Sequence, residues 1–154
     1  MWSPDGTRAV AYMPLVSKAL LFDPRLPAAQ QKVEDLPPFA GGLFQTTSWS
    51  PDGARIAGDR PGNGIVVYSI ATRTYQEIAP RGVGPVWLPD SRRLLYSIGG
   101  DLIVVDSVTK VSKQVYSAPG EVFNGRELSP DAREIYAVIV NPQVDIVLAK
   151  LGTK

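Results

Sequence analysis

A five-residue segment recurs four times in this chain, and that recurrence restricts the fold more than any other feature. It reads Trp2-Ser3-Pro4-Asp5-Gly6, Trp49-Ser50-Pro51-Asp52-Gly53, Trp87-Leu88-Pro89-Asp90-Ser91 and Leu128-Ser129-Pro130-Asp131-Ala132. From Trp2 to Trp49 to Trp87 to Leu128 the starts are 47, 38 and 41 residues apart. Each segment is a turn with a physical reason for its composition. Pro presets φ at the second turn position, a polar residue suits the third, and Gly suits the fourth. Ser91 and Ala132 replace the Gly, which a type I turn accepts because its fourth position need not have positive φ.

The rest of each repeat follows one order. A short β-rich run comes after the turn, as in Arg55-Ile56-Ala57 and Ile135-Tyr136-Ala137-Val138. A second turn signal follows: Pro61-Gly62-Asn63-Gly64, Gly99-Gly100-Asp101 or Asn141-Pro142-Gln143. Then come apolar runs, Ala19–Phe22, Ile65–Tyr68, Leu102–Val105 and Val144–Leu148, of the kind buried on both sheet faces. More polar runs close the repeats at Tyr75–Ile78 and Lys113–Tyr116, with Lys32–Leu36 as a third, as suits an edge strand. Links such as Pro37-Pro38-Phe39-Ala40-Gly41-Gly42, Arg81-Gly82-Val83-Gly84-Pro85 and Pro119-Gly120 join them. No long window has helical periodicity, and Pro27–Asp35 reads as an enlarged loop. A period of about 40–45 residues with four strands is that of a propeller blade.

Composition excludes several chemistries from the chain itself. It has no cysteine, hence no disulfide, thiolate metal site or Cys nucleophile. It has no histidine, hence no Ser-His-Asp triad and no imidazole metal ligand. A formal net charge of +1 gives no reason to expect nucleic acid or an anionic membrane. No run approaches the length of a membrane span. The first residues have neither a basic nor an apolar leader region, and the compartment, periplasmic or cytoplasmic, stays open.

The repeated Trp-Ser-Pro-Asp-Gly segment, followed by Arg and an Ile-Ala-Tyr-like run, resembles the TolB-type, WD-like β-propeller repeat. The resemblance covers essentially the whole chain, four times over. It implies an all-β fold of four successive blades, each a four-stranded antiparallel sheet, with approximate limits 1–38, 39–80, 81–118 and 119–154. It also implies a non-catalytic scaffold for a protein partner, with no cofactor, in a bacterial envelope or sensor protein. The alternative is the access-gating propeller of an S9-type peptidase, or of another hydrolase with its catalytic domain elsewhere. The first and last blades are expected to be incomplete. Before Trp2 there is only Met1, and after Val144–Leu151 only Gly152-Thr153-Lys154. The chain is therefore expected to be the C-terminal part of a larger propeller of six to eight blades.

Sharp functional readings compete with plain ones. Asp5, Asp52, Asp90 and Asp131 are carboxylates, but turn chemistry assigns each to its own turn backbone, and equivalent turns are expected to stand apart. Trp2, Trp49 and Trp87, with Leu128 in the same slot, read as core between blades rather than ligand-stacking rings. Arg8, Arg55 and Arg93, with Glu134 in the fourth place, read as a solvated column. Gly82-x-Gly84 and Gly41-Gly42 precede no helix, so they read as turns rather than phosphate loops. The best binding candidates lie opposite the Ser-Pro-Asp-Gly turns: Arg60, Asn63, Arg81, Asp101, Asn124, Arg126, Asn141 and Gln143. Loops held by a rigid scaffold are where binding concentrates.

Overall fold

The computed structural model describes residues 1–13, 18–39, 42, 44–60, 62–129, 131, 133–140 and 145–150. The expected turn Asn141-Pro142-Gln143, and with it the candidates Asn141 and Gln143, lies outside the described residues. So do Ala40, Gly41, Leu43, Pro61, Pro130, Ala132, Val144 and residues 151–154.

The strands fall where the apolar runs and turns predict them. They are β1 (Ala9–Met13), β2 (Lys18–Phe22), β3 (Glu34–Asp35), β4 (Gln45–Trp49), β5 (Arg55–Asp59), β6 (Ile65–Ser69) and β7 (Thr74–Ala79). There follow β8 (Val83–Trp87), β9 (Arg93–Ile98), β10 (Asp101–Asp106), β11 (Ser112–Ser117), β12 (Val122–Leu128), β13 (Glu134–Val140) and β14 (Asp145–Lys150). Four antiparallel sheets result: β1-β2-β3, β4-β5-β6-β7, β8-β9-β10-β11 and β12-β13-β14. Every hydrogen-bonded neighbour is also a neighbour in sequence, as short turns require. The enlarged loop before β3 holds a single 3-10 turn at Ala28–Gln30.

The first sheet has a stub of an inner strand. Val10 N–H donates to the Met1 carbonyl at 2.8 Å, and Trp2 bridges Ala9. That pairing repeats Trp49↔Ile56, Trp87↔Leu94 and Leu128↔Ile135 in the other three sheets.

The sheets stack face to face, and the apolar core lies in the three joints between them. Val10, Ala19 and Leu21 of the first sheet meet Trp49, Ile56 and Val66 of the second. Ala57, Ile65 and Val67 meet Trp87 and Leu94 of the third. Leu95 and Leu102 meet Phe123, Ile135 and Ile139 of the fourth. This explains the near-continuous apolar runs. In β6, Ile65 to Tyr68 are all buried, as are Leu94 to Ser97 in β9, because both faces of those sheets are covered. Strand β11 lies at an outer edge and is exposed throughout.

The turns carry a hydrogen-bond circuit. Ser3 Oγ donates to Asp5 Oδ1 at 2.6 Å, and the same hydroxyl accepts from Arg8 N–H at 2.9 Å. Asp5 Oδ1 also accepts from Thr7 N–H at 3.0 Å. The circuit recurs at Ser50, Asp52, Ala54 and Arg55, and at Ser129, Asp131, Arg133 and Glu134. In the third turn Leu88 replaces the Ser, and Asp90 accepts directly from the N–H groups of Arg92 and Arg93, each at 2.9 Å.

Two expectations about the turns are corrected. The fourth position does take positive φ: 68° at Gly6, 74° at Gly53 and 53° at Ser91. A type I turn continued by a left-handed residue matches the twist of the flanking strands, which a plain type I turn would splay. Equivalent turns also do not all stand apart. Asp52 N–H donates to Ser91 Oγ at 2.9 Å, joining the turns of the second and third sheets.

Replacing Leu94 by Ala in the middle joint is expected to cost about 2–5 kcal/mol of unfolding free energy. Val111→Thr, at a 70% exposed position, should stay within about 0.5 kcal/mol. Urea unfolding of the two variants beside the parent chain checks both.

Candidate functional site

The end of the molecule opposite the Ser-Pro-Asp-Gly turns carries a depression of about 420 Å³ shared by three sheets. Gly62 and Asn63 of the β5–β6 turn form one wall. Arg81, Gly82 and Val83, entering β8, form a second. Ser97, Ile98 and Gly99 at the β9–β10 turn form the third, and Val122 of β12 closes it.

The local backbone explains the shape. Asn63 takes φ 62°, a left-handed conformation that Asn tolerates better than most residues. Gly82 has φ 116°, and a Cβ there would stand 2.3 Å from the Tyr96 ring, so only Gly lets the link pass over that side chain. The side chains of Asn63 and Arg81 are exposed and make no hydrogen bond or ion pair among the described residues. Ile98 and Val122 add exposed apolar surface between them.

The other candidates are engaged within the fold. Arg60 pairs with Glu77 at 3.3 Å and donates to the Pro80 carbonyl at 3.2 Å, which ties the link to its own sheet. Asp101 accepts from Ser117 Oγ at 2.7 Å and Gln114 Nε2 at 3.2 Å, joining β10 to β11. Asn124 is exposed in β12, where the pairing with β13 shifts register between Phe123 and Arg126.

Arg126 is only 8% exposed and reaches under the depression from the fourth sheet to the third. Its guanidinium donates to the carbonyls of Val83 and Gly84 and to Ser97 Oγ, the last at 2.6 Å. A register shift in β8 between Val83 and Val86 takes Gly84 out of the paired register. Gly84, at φ 60°, makes room: a Cβ would stand 2.8 Å from the guanidinium.

Asp59 completes this buried network and was missed in the sequence. Its Oδ1 accepts from Gly84 N–H at 2.7 Å. Burial pushes its carboxyl up to about 6, against the opposing pull of the Gly84 N–H and the Arg126 charge. The available signal was its place in the repeat, where Tyr12, Ser97 and Val138 stand in the other three copies. By contrast, hydrogen bonds from Ser3 and Thr7 lower the Asp5 carboxyl to about 2.

Arg55 departs from the expected solvated column. It stacks over the Trp87 indole at 4.6 Å and donates to the Ser91 carbonyl and to Ser107 Oγ, the latter at 3.3 Å. An indole face at a half-buried joint attracts a guanidinium more strongly than water-screened side chains do. Arg93 keeps to its own turn, paired with Asp90 at 2.6 Å.

No protein-family model matches the chain. Its structure is similar to that of a protein assigned as TolB from Agrobacterium tumefaciens, with a TM-score of 0.75 at 16% identity. That likeness covers 97% of this chain and 60% of the other. TolB from Acinetobacter baumannii gives 0.68 at 16% identity, over 94% of this chain and 39% of that one. The Myceliophteria thermophila Cps50 (Swd1) β-propeller domain gives 0.64 at 12% identity, over 96% and 50%. The chain thus spans less than two thirds of each of these propellers. The fold is a β-propeller fold, in the form of four successive blades.

The two carboxyl groups should titrate apart, Asp59 near about 6 and Asp5 near about 2, in carbon-13 NMR. Asp5, lowered, adds stability above about pH 4 that is lost as pH falls through about 2. Asp59, raised, has the opposite sign: its ionisation removes stability as pH rises from about 4 through 6. Asp59→Asn should abolish that decline, so its melting temperature gains on the parent chain between about pH 4 and 7.

Proposed function

We propose that this chain is a non-catalytic propeller scaffold that presents its loop face to a protein partner. The observation that carries the reading is the shared depression. Residues of three blades line it, Asn63 and Arg81 bring exposed polar side chains with no hydrogen bond or ion pair among the described residues, and Ile98 and Val122 bring exposed apolar surface. Exposed apolar side chains combined with uncommitted polar ones suit a protein interface. The Arg126 guanidinium bonds to Val83 and Ser97, two of the lining residues, and such ties lower the entropic cost of holding the arrangement for a partner. The blades in this reading run approximately over 1–38, 39–80, 81–118 and 119–154. The resemblance in sequence and fold favours a bacterial envelope or sensor protein as the setting.

A photo-crosslinking residue at Asn63, introduced in the native host, tests the proposal. A discrete protein adduct is expected there and not from Arg133, which is exposed at the opposite end. Arg81→Glu should weaken the adduct about tenfold, equivalent to about 1.4 kcal/mol. Equal labelling from both ends, or none from position 63, would sink the reading.

A further inference from the structure

Four Asp or Asn residues stand directly before a glycine: Asp5, Asp52, Asn63 and Asn124. At such a pair the glycine nitrogen can close a five-membered ring onto the preceding side-chain Cγ, because no Cβ crowds its approach. In a folded chain the outcome depends on whether the side chain and the glycine N–H are already committed.

At both Asp-Gly pairs they are. Asp5 Oδ1 accepts from Ser3 Oγ and Thr7 N–H, and Gly6 N–H donates to the Ser3 carbonyl at 2.9 Å. Asp52 Oδ1 accepts from Ser50 Oγ and Ala54 N–H, and Gly53 N–H donates to the Ser50 carbonyl at 2.8 Å. An ionised carboxylate is also a poorer electrophile than a neutral amide. Asn124 and its glycine lie inside β12, between Phe123 and Arg126, which are 3% and 8% exposed. Both flanking residues pair with β13, and the Arg126 guanidinium is bonded to the third sheet. Ring closure needs backbone rotation, and these anchors restrain it.

Asn63 and Gly64 have none of this protection. The Asn63 side chain is exposed and makes no hydrogen bond among the described residues. The Gly64 carbonyl accepts from Arg60 N–H at 3.0 Å, but its own N–H meets no acceptor among the described residues. The pair stands in the β5–β6 turn, outside the strand ladder.

We propose that Asn63 is a self-modification site, where a cyclic imide formed with Gly64 converts the amide to a carboxylate and resets the charge of the loop face. The Gly64 nitrogen gives its proton to hydroxide and attacks Asn63 Cγ. The N–Cγ bond forms, the Cγ–Nδ2 bond breaks, and Nδ2 leaves as ammonia with a proton drawn from water. Water then adds to either carbonyl of the imide. Breaking the new N–Cγ bond gives aspartate. Breaking the original peptide bond gives isoaspartate, with the chain running through the side-chain carbon. The net change is amide plus water to carboxylic acid plus ammonia, and nothing is oxidised or reduced. The product ionises at neutral pH and takes the formal net charge of the chain from +1 to zero. The new charge arises in the depression that Arg81 also lines. This chemistry belongs to the chain alone and does not depend on a partner docking there.

Peptide mapping by mass spectrometry, on folded chain held for weeks near neutral pH, tests the proposal. The peptide carrying Asn63 should yield two products of equal mass, and the isoaspartyl one should accept a methyl group from an isoaspartyl methyltransferase. In the folded chain, conversion at Asn63 should be at least about tenfold faster than at Asn124, equivalent to about 1.4 kcal/mol of barrier. In urea, where both pairs are released, the two rates should be comparable. Asn63→Gln must close a larger ring, so it should stop the growth of the acidic form in isoelectric focusing while leaving an exposed neutral amide in place. Conversion no faster at Asn63 than at Asn124 in the folded chain overturns the proposal. So does an acidic form that grows equally in Asn63→Gln.

Discussion

Everything in this molecule hangs on one contact: a large apolar residue at the end of an inner strand inserted against the preceding sheet. Trp49, Trp87 and Leu128 make it, and the partner residues vary in size to receive them. Trp87, the larger ring, shares its cluster with Ala57, whereas Leu128 packs against the cluster that holds Leu95. Keeping the summed volume of a joint near constant is what a close-packed interior demands. A single four-stranded meander has too little apolar surface on one face to be stable alone. Stacking covers both faces of the inner sheets, and this is the source of the fold's stability.

The turns hold that contact in register. A hydroxyl donates to a carboxylate, the hydroxyl oxygen accepts a backbone N–H across the turn, and the carboxylate accepts another. The residue just before the circuit therefore leaves the strand at the same place and angle in each repeat. The third turn shows that the requirement is for acceptors, not for serine. With Leu88 in place of Ser, Asp90 accepts both N–H groups.

Besides the contacts at the turns, polar groups cross the joints near the register shifts of the inner strands. Register shifts occur in all three inner strands, at Thr46/Ser48 in β4, Val83/Val86 in β8 and Phe123/Arg126 in β12. Groups in and beside these shifts meet the neighbouring sheet. Thr47 Oγ1 donates to the Pro85 carbonyl at 2.8 Å, Trp87 N–H donates to Ser48 Oγ at 3.0 Å, and Arg126 bonds to the Val83 and Gly84 carbonyls. Buried polar groups must be satisfied, and a shift in the inner strand of successive blades lets a blade satisfy its neighbour. Val83 and Ser97, which line the loop-face depression, belong to this polar layer through Arg126.

The sequence by itself determined the strands, the turns and the stacked-sheet class, because those follow from local terms that repeat: Pro and Asp in the turn, apolar runs between turns, and a fixed period. Asn63 and Arg81 were also legible as loop residues, since turn chemistry places them at one end of the molecule. Only the tertiary structure decided which candidates were already engaged. Arg126 and Asp59 bond to backbone atoms of another sheet, and no side-chain pattern in the sequence marks a carbonyl or N–H that a bulge has freed. Arg55 was read as solvated because its column in the repeat includes a Glu, yet its partner is an indole in the next blade. Trp2 shows the same division from the other side. Its repeat position predicts a core residue, but burial needs a sheet in front of it, and only the packed structure shows that face open.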